Sequence, residues 1–176
     1  MTRARSCRSD SSAPTRCAII SDLRPAALDE LGLLSAIDSL VGRHREQSRF
    51  AVAVDIALRD PSARLAPELE TVIYRLLQEA LTNAAKHSSA ENVHISIEED
   101  HDSLVLVVRD DGAGLRPHAE TRGFGLAAMR ERVALAGGTL EIQSGSGGTL
   151  VRARLPARYA PDAARQPPRE ELRRRA

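Results

Sequence analysis

Residues 78–87 read Gln-Glu-Ala-Leu-Thr-Asn-Ala-Ala-Lys-His and close a helix that is predicted to begin near Pro67. Apolar residues recur at helical spacing and predict one buried face, made of Leu69, Ile73, Leu76, Leu77, Ala80 and Ala84. Four polar residues follow at i, i+4, i+7 and i+8 along one edge of that face, namely Glu79, Asn83, Lys86 and His87. Such a line of side chains can bind hydrated Mg²⁺ and phosphate oxygens, and it also fits an ordinary solvated helix edge.

The segments around this helix predict the strands of a sheet. Residues 50–58 alternate as a strand does, and one face carries Val52, Val54 and Ile56. Two pairs of strands are predicted further along the chain, at residues 92–98 with 104–109 and at residues 139–143 with 149–155.

Two more helices complete the predicted order. The first carries Leu31, Leu34, Ile37, Leu40 and Val41 at helical spacing, and the last runs from about Leu126 to the stop at Gly137-Gly138. The order is helix, strand, helix, two strands, helix, two strands. It predicts an α+β fold, a two-layer α/β sandwich with a mixed, largely antiparallel sheet and helices on one face.

Composition narrows the class of protein. The 176 residues suit one domain, and the formal net charge of +1 argues against nucleic-acid binding. No apolar run approaches the roughly 20 residues that cross a bilayer, and the polar N-terminus does not resemble a secretory signal. We therefore expect a cytoplasmic protein without a membrane segment, with Cys7 and Cys17 as free thiols.

A glycine-rich segment follows the strand at residues 104–109. Asp110 is held at the strand end, and Gly112 and Gly114 let the backbone approach a ligand closely. A carboxylate fixed in this way can accept a hydrogen bond from an exocyclic amine such as that of adenine. Asp-Gly turns also end many strands that bind no ligand.

Two further glycine segments lie beside predicted elements. Gly123, Gly125 and Leu126 open the last helix, whose free N–H groups can bind a phosphate. Neither the Walker A pattern nor the dinucleotide fingerprint is present. Thr149 begins the final strand and can complete a base pocket. Taken singly, these segments also fit a capped amphipathic helix and a hairpin turn.

In this order the segments resemble the N, G1, G2 and G3 boxes of the GHKL ATPase superfamily, which includes gyrase, a heat-shock chaperone, histidine kinases and mismatch-repair ATPases. The resemblance covers residues 23–156. Residues 78–87 and 125–132 are most similar to the nitrate/nitrite-sensor-like branch of histidine kinases. Leu23-Arg24-Pro25 with residues 28–33 resembles the exit from the second dimerisation helix of that branch.

The resemblance implies the Bergerat fold and a role for each residue. Two residues would be catalytic. Glu79 would lie near the Mg²⁺ water or the reacting group, and Asn83 would bind Mg²⁺. Asp110 would recognise adenine. The other ATP-binding residues would line the base or the phosphates: Lys86, His87, Gly112, Gly114, Gly123, Gly125, Leu126 and Thr149. ATP and Mg are therefore the expected cofactors.

The chain departs from the branch in one respect. The phosphoacceptor histidine of the branch lies on a helix before the Leu-Arg-Pro segment, and residues 1–22 contain no histidine. We expect the γ-phosphoryl to pass to a histidine-bearing dimerisation domain on another chain, with a response regulator as a further partner. The alternatives are an anti-sigma-factor-type serine kinase and a non-catalytic nucleotide-binding remnant.

The expected division of the chain has four parts. Residues 1–22 form a disordered leader, and residues 23–48 form the end of a dimerisation helix or linker helix. Residues 49–156 form the ATP-binding catalytic domain, and residues 157–176 form a disordered basic tail.

Overall fold

The computed structural model describes residues 24–47, 50–114 and 124–160, and the predicted order of elements is confirmed. Within these ranges the helices pack on one face of a five-stranded sheet. The elements are α1 (Ala26–Gln47), β1 (Ala51–Ala57), α2 (Pro67–Asn83), a π-helical turn (Ala84–Ser88), β2 (Asn92–Asp100), β3 (Ser103–Asp110), α3 (Phe124–Leu135), β4 (Thr139–Gly145) and β5 (Gly148–Pro156).

The sheet is mixed, as the order of elements predicts. Its strands lie in the order β1-β2-β3-β5-β4. The edge strand β1 runs parallel to β2, with α2 as the connection between them, and all other neighbours are antiparallel. Because β3 and β5 are antiparallel, with Arg109 opposite Leu150, the end of β3 meets the start of β5. This register brings Asp110 and Thr149 to the same edge of the sheet.

One hydrophobic core joins the helices to the sheet. The strands contribute alternate residues, for example Val93, Ile95 and Ile97 of β2, as the period of two in a strand requires. The predicted buried face of α2 is confirmed, since all six of its apolar residues are buried. No helix within residues 24–47, 50–114 and 124–160 is long and apolar enough to cross a membrane.

Helix α1 belongs to the same core as the sheet. Leu28, Leu33, Ile37 and Leu40 are buried in the core that also contains the strand residues. The boundary expected after residue 48 is therefore not a break in the packing of the domain.

Leu31 shares the helical spacing of the apolar residues of α1 but not their burial, because 42% of this residue is exposed. The helix is kinked at Gly32, whose φ of 74° and ψ of 174° are not helical. The residues before and after the kink therefore do not share one helical face. Only glycine adopts this backbone conformation readily.

The chain beyond β5 is ordered further than the expected boundary at residue 156. The Ala157 N–H donates to the Asp102 carbonyl, and Tyr159 forms an isolated β-bridge with Leu65. The Tyr159 hydroxyl donates to Glu99 Oε2 at 2.6 Å. Burial and this bond raise the pKa of Tyr159 to about 12. Residues 161–176 lie outside the described residues.

Two glycines of α1 give opposite predictions for substitution by alanine. Gly32→Ala should lower the free energy of unfolding by about 1–3 kcal/mol, because an L side chain is strained in that conformation. Gly42→Ala should raise it by about 0.5–1 kcal/mol, because a Cβ there meets nothing within 4 Å and alanine favours the helix. Urea unfolding of the three proteins measures both. A wild-type value for Gly32→Ala would show that the kink imposes no strain.

Candidate functional site

A cavity lies at the edge of the sheet where α2 ends, β3 ends, and α3 and β5 begin. Its volume is about 20 Å³, enough for a small group. The structure brings together five of the predicted site residues as its lining: Asn83, Asp110, Gly114, Leu126 and Thr149. The remaining lining residues are Ala80, Ser88, Val108 and Val151.

Asp110 presents a carboxylate to this cavity. The residue is 8% exposed, and its Oδ1 accepts a hydrogen bond from the Gly112 N–H at 3.0 Å. Within the described residues the carboxylate has no other hydrogen bond and no cationic partner. A buried carboxylate is costly without donors. The arrangement therefore fits a ligand that donates a hydrogen bond to Asp110.

Asp111, unlike Asp110, forms hydrogen bonds to the start of β2. Its exposed side chain accepts hydrogen bonds from the N–H groups of Glu91 and Asn92, both at 2.9 Å, and from the Asn92 amide. These bonds, chiefly from the Asn92 backbone, hold the pKa of Asp111 below its usual range. A folded-state pKa below that of the unfolded chain means that Asp111 stabilises the fold at neutral pH. This contribution is lost as the pH falls through the lowered pKa.

Ser88 was missed by sequence reasoning. Its carbonyl accepts a hydrogen bond from the Ala113 N–H at 2.7 Å and lies where a Cβ on Gly112 would be, only 2.1 Å away. Its hydroxyl donates to the Ala84 carbonyl and accepts from the Ala90 N–H. A serine after a helix is common in loops, and no local sequence signal distinguishes this one.

The four polar residues predicted along one edge of the helix do not all lie on the α-helix. The α-helix stops at Asn83, and the next residues form a wider π-helical turn. Lys86 is exposed on that turn. The side chain of His87 lies outside the described residues, so only its backbone can be placed in the turn.

Glu79 approaches the start of α3. Its Oε1 lies so close to Gly125 that a Cβ on that glycine would be 1.8 Å away. The structure therefore places the predicted N-box carboxylate against the first turn of the helix that the glycines open. Gly123, the other predicted glycine of this segment, lies outside the described residues.

The β4–β5 turn packs on the loop that follows β3. Gly114, with φ of 75°, lies close enough to the Gly145 carbonyl that an added Cβ would be 2.4 Å from it. Gly148, with φ of 110°, lies similarly close to the Asp110 carbonyl, because a Cβ added to this glycine would be 1.9 Å from that oxygen. Thr149 is buried beside this contact, and its hydroxyl lies 3.4 Å from that of Ser144. The two segments thus meet at two contacts that only glycine permits.

The described residues contain no group of three or more His, Cys, Asp and Glu side chains that could hold a metal ion. The Asn83 amide lines the cavity, and the Glu79 carboxylate lies beside the start of α3. A hard cation such as Mg²⁺ is compatible with so few protein oxygens when a phosphate ligand and water complete its shell.

The described histidine side chains do not line the cavity and form contacts with other residues. His44 lies on α1, is half-buried and stacks on Phe50 with ring centroids 6.3 Å apart. Burial, with the charge of Arg43, lowers its pKa. His94 pairs with Asp55, and His101 pairs with Asp100.

Known proteins are similar to this chain in sequence. Residues 68–159 match the family model described as histidine kinase-, DNA gyrase B-, and HSP90-like ATPase. The chain is 40% identical over 141 residues to the signal transduction histidine-protein kinase/phosphatase UhpB of Salmonella typhimurium, covering 80% of this chain and 28% of that protein. It is 35% identical over 139 residues to DegS of Bacillus subtilis, a protein of the same description, covering 76% and 36%. The chain thus spans about a third of these curated relatives.

Solved structures share the fold. The histidine kinase domain of a blue-light activated histidine kinase from Erythrobacter litoralis aligns with a TM-score of 0.59 at 22% identity, over 71% of this chain and 60% of that one. The catalytic domain of histidine kinase ThkA aligns with a TM-score of 0.57 at 16% identity, over 73% and 95%. Within the described residues, the predicted α/β sandwich is therefore confirmed.

The contact between Gly112 and Ser88 predicts the effect of a single methyl group. Gly112→Ala should lower the free energy of unfolding by about 1–3 kcal/mol, because the new Cβ overlaps the Ser88 carbonyl. Gly147→Ala is the matched control, since a Cβ there meets nothing within 4 Å and should change stability by less than about 0.5 kcal/mol. Urea unfolding measures both. Equal stabilities for the two variants would contradict the close contact.

Proposed function

The chain belongs to the family of histidine kinase-, DNA gyrase B-, and HSP90-like ATPases, and we propose that it is the ATP-binding catalytic domain of a two-component sensor histidine kinase. The observation that carries this proposal is the buried Asp110 carboxylate, whose one hydrogen bond within the described residues comes from the Gly112 N–H. It lines a cavity together with four other predicted site residues. Its named relatives are histidine kinases.

The adenine ring would bind with its amine toward Asp110. An exocyclic amine would give this carboxylate a second donor beside the Gly112 N–H, and the small cavity suits such a group. Leu126, Val108 and Val151 provide apolar walls for the ring. Thr149 would complete the polar end of the pocket, and Gly112 and Gly114 keep side chains out of the turn that passes the base.

The phosphates would lie toward the start of α3 and the end of α2. The free N–H groups in the first turn of α3, at Gly125, suit an anion. The amide oxygen of Asn83 would share Mg²⁺ with phosphate oxygens, and bound Mg²⁺ would neutralise phosphate charge. We assign Lys86 and His87 to the phosphates and Glu79 to the Mg²⁺ water or the reacting group. Gly123 would border the phosphates.

The reaction would be transfer of the γ-phosphoryl to a histidine on a dimerisation domain carried by another chain, and then to a response regulator. Positioning and charge neutralisation would supply most of the catalysis. The described histidine side chains support an acceptor elsewhere, because His44, His94 and His101 have other contacts. We propose a cytoplasmic location, where ATP is available.

Asp110 and Asp111 make a matched pair for testing ATP binding. At about one hundred times its dissociation constant, Mg-ATP should add about 2.7 kcal/mol to stability and raise the melting temperature by about 5–10 °C. Asp110→Asn should abolish this rise, because its amide nitrogen cannot accept from an amine. Asp111→Asn should lower the melting temperature without ligand and keep the rise. Loss of the rise in both variants, or in neither, would contradict the assignment of Asp110.

Chemistry of the product separates the two kinase candidates. With γ-labelled ATP and acceptor proteins that carry a histidine-bearing dimerisation helix, we expect label that is lost in acid and retained in alkali, as for phosphohistidine. Acid-stable label on a serine would favour the anti-sigma-factor-type kinase. If Mg-ATP binds but no acceptor is labelled, the nucleotide-binding remnant is the better description.

A further inference from the structure

A buried carboxylate lies on α2 well away from the nucleotide site. The side chain of Glu70 is only 1% exposed, yet it meets two arginines. Arg24 Nη2 lies 2.5 Å from Glu70 Oε2. Arg64 donates to both carboxylate oxygens, from Nε at 3.3 Å and from Nη2 at 3.2 Å. A fully buried carboxylate with two cations exceeds what packing of α2 requires, since an apolar side chain could fill the same space.

Arg24 connects the entering chain, residues 24–25 that lead into α1, to the first turn of α2. Besides Glu70, its guanidinium donates to the Pro67 carbonyl and to Thr71 Oγ1, and its Nε lies 2.5 Å from Asp29 Oδ1. Burial opposes the charged form of Arg24, but the bonds to Glu70 and Asp29 outweigh it and raise the pKa. One side chain at the start of the described residues therefore joins α1 to α2.

Arg64 allows this connection to open. If Arg24 moves away, Glu70 keeps its bonds to Arg64, so no unpaired buried charge is created. Unpaired charges are what usually make the loss of one partner from a buried pair so damaging. Arg64 Nη2 also donates to the Leu28 carbonyl at 2.6 Å, which anchors α1 one turn further into the domain.

We propose that Arg24 and Glu70 are a positioning pair, which fixes the direction of the entering chain relative to α2 and can open while the nucleotide site stays intact. The distance supports this independence: Glu70 and Asn83 are thirteen residues apart, about 20 Å along the helix. The inference rests on the proposed function only in its consequence. In a kinase, the pair would set how the ATP site faces the acceptor histidine of the other chain.

Hydrogen exchange tests the first half of the proposal without nucleotide. In Arg24→Met, the amides of residues 28–34 should exchange at least tenfold faster, including Leu28, whose N–H donates to the Pro25 carbonyl. Arg59→Met is the matched control, because it also removes an arginine from a glutamate, Glu99, and should leave these amides unchanged. Unchanged exchange in Arg24→Met would overturn the proposal.

Mg-ATP titration tests the second half. The dissociation constant of Arg24→Met should stay within twofold of the wild type, and a change above tenfold would show that the pair belongs to the nucleotide site. Glu70→Gln should reproduce both results if it folds, and Arg24→Lys should restore part of the exchange protection. If wild type fails to bind Mg-ATP, the proposed function fails, while the exchange result still decides the positioning role.

Discussion

The π-helical turn after α2 and the turn after β3 meet with no side chain between them, and the cavity depends on this contact. The Ser88 carbonyl occupies the space where any Cβ at position 112 would lie, and it accepts the N–H of Ala113. The π-helical turn and the left-handed Ser89 direct that carbonyl to the β3 edge. Asn83 and Asp110, twenty-seven positions apart in the chain, therefore line the same cavity.

The elements could be predicted from the sequence because their signals are periodic. Alternating apolar residues predicted β1, and the apolar stripe of α2 predicted its buried face. Both are present in the structure. The candidate site residues could be selected from the sequence because they lie near the ends of elements: Asn83 ends α2, Asp110 ends β3 and Thr149 lies at the start of β5. The order of elements then brought Asn83, Asp110 and Thr149 to one edge.

What could not be predicted depends on single backbone conformations. The kink at Gly32 moves Leu31 out of the core, and the π-helical turn shifts Lys86 from its expected spacing. Neither has a periodic signal, because one residue changes the direction of the chain while the composition stays the same. Ser88 was missed for a similar reason. Its contribution comes mainly from a carbonyl, which every residue has, and tertiary contact alone gives it a role.

Helix α2 connects two kinds of interaction that need different chemistry. At its first turn, Glu70 holds arginines from outside the helix through short ionic bonds, which depend on charge and distance. At its last turn, Asn83 contributes a neutral amide to a cavity shaped by glycine contacts. Glu70 and Asn83 are thirteen residues apart, about 20 Å along the helix. The helix between them is packed along one face against the core, so the ion pairs at its first turn can change while the cavity at its last turn keeps its geometry. The two ends can therefore change independently, and Arg64 makes this possible by keeping Glu70 paired.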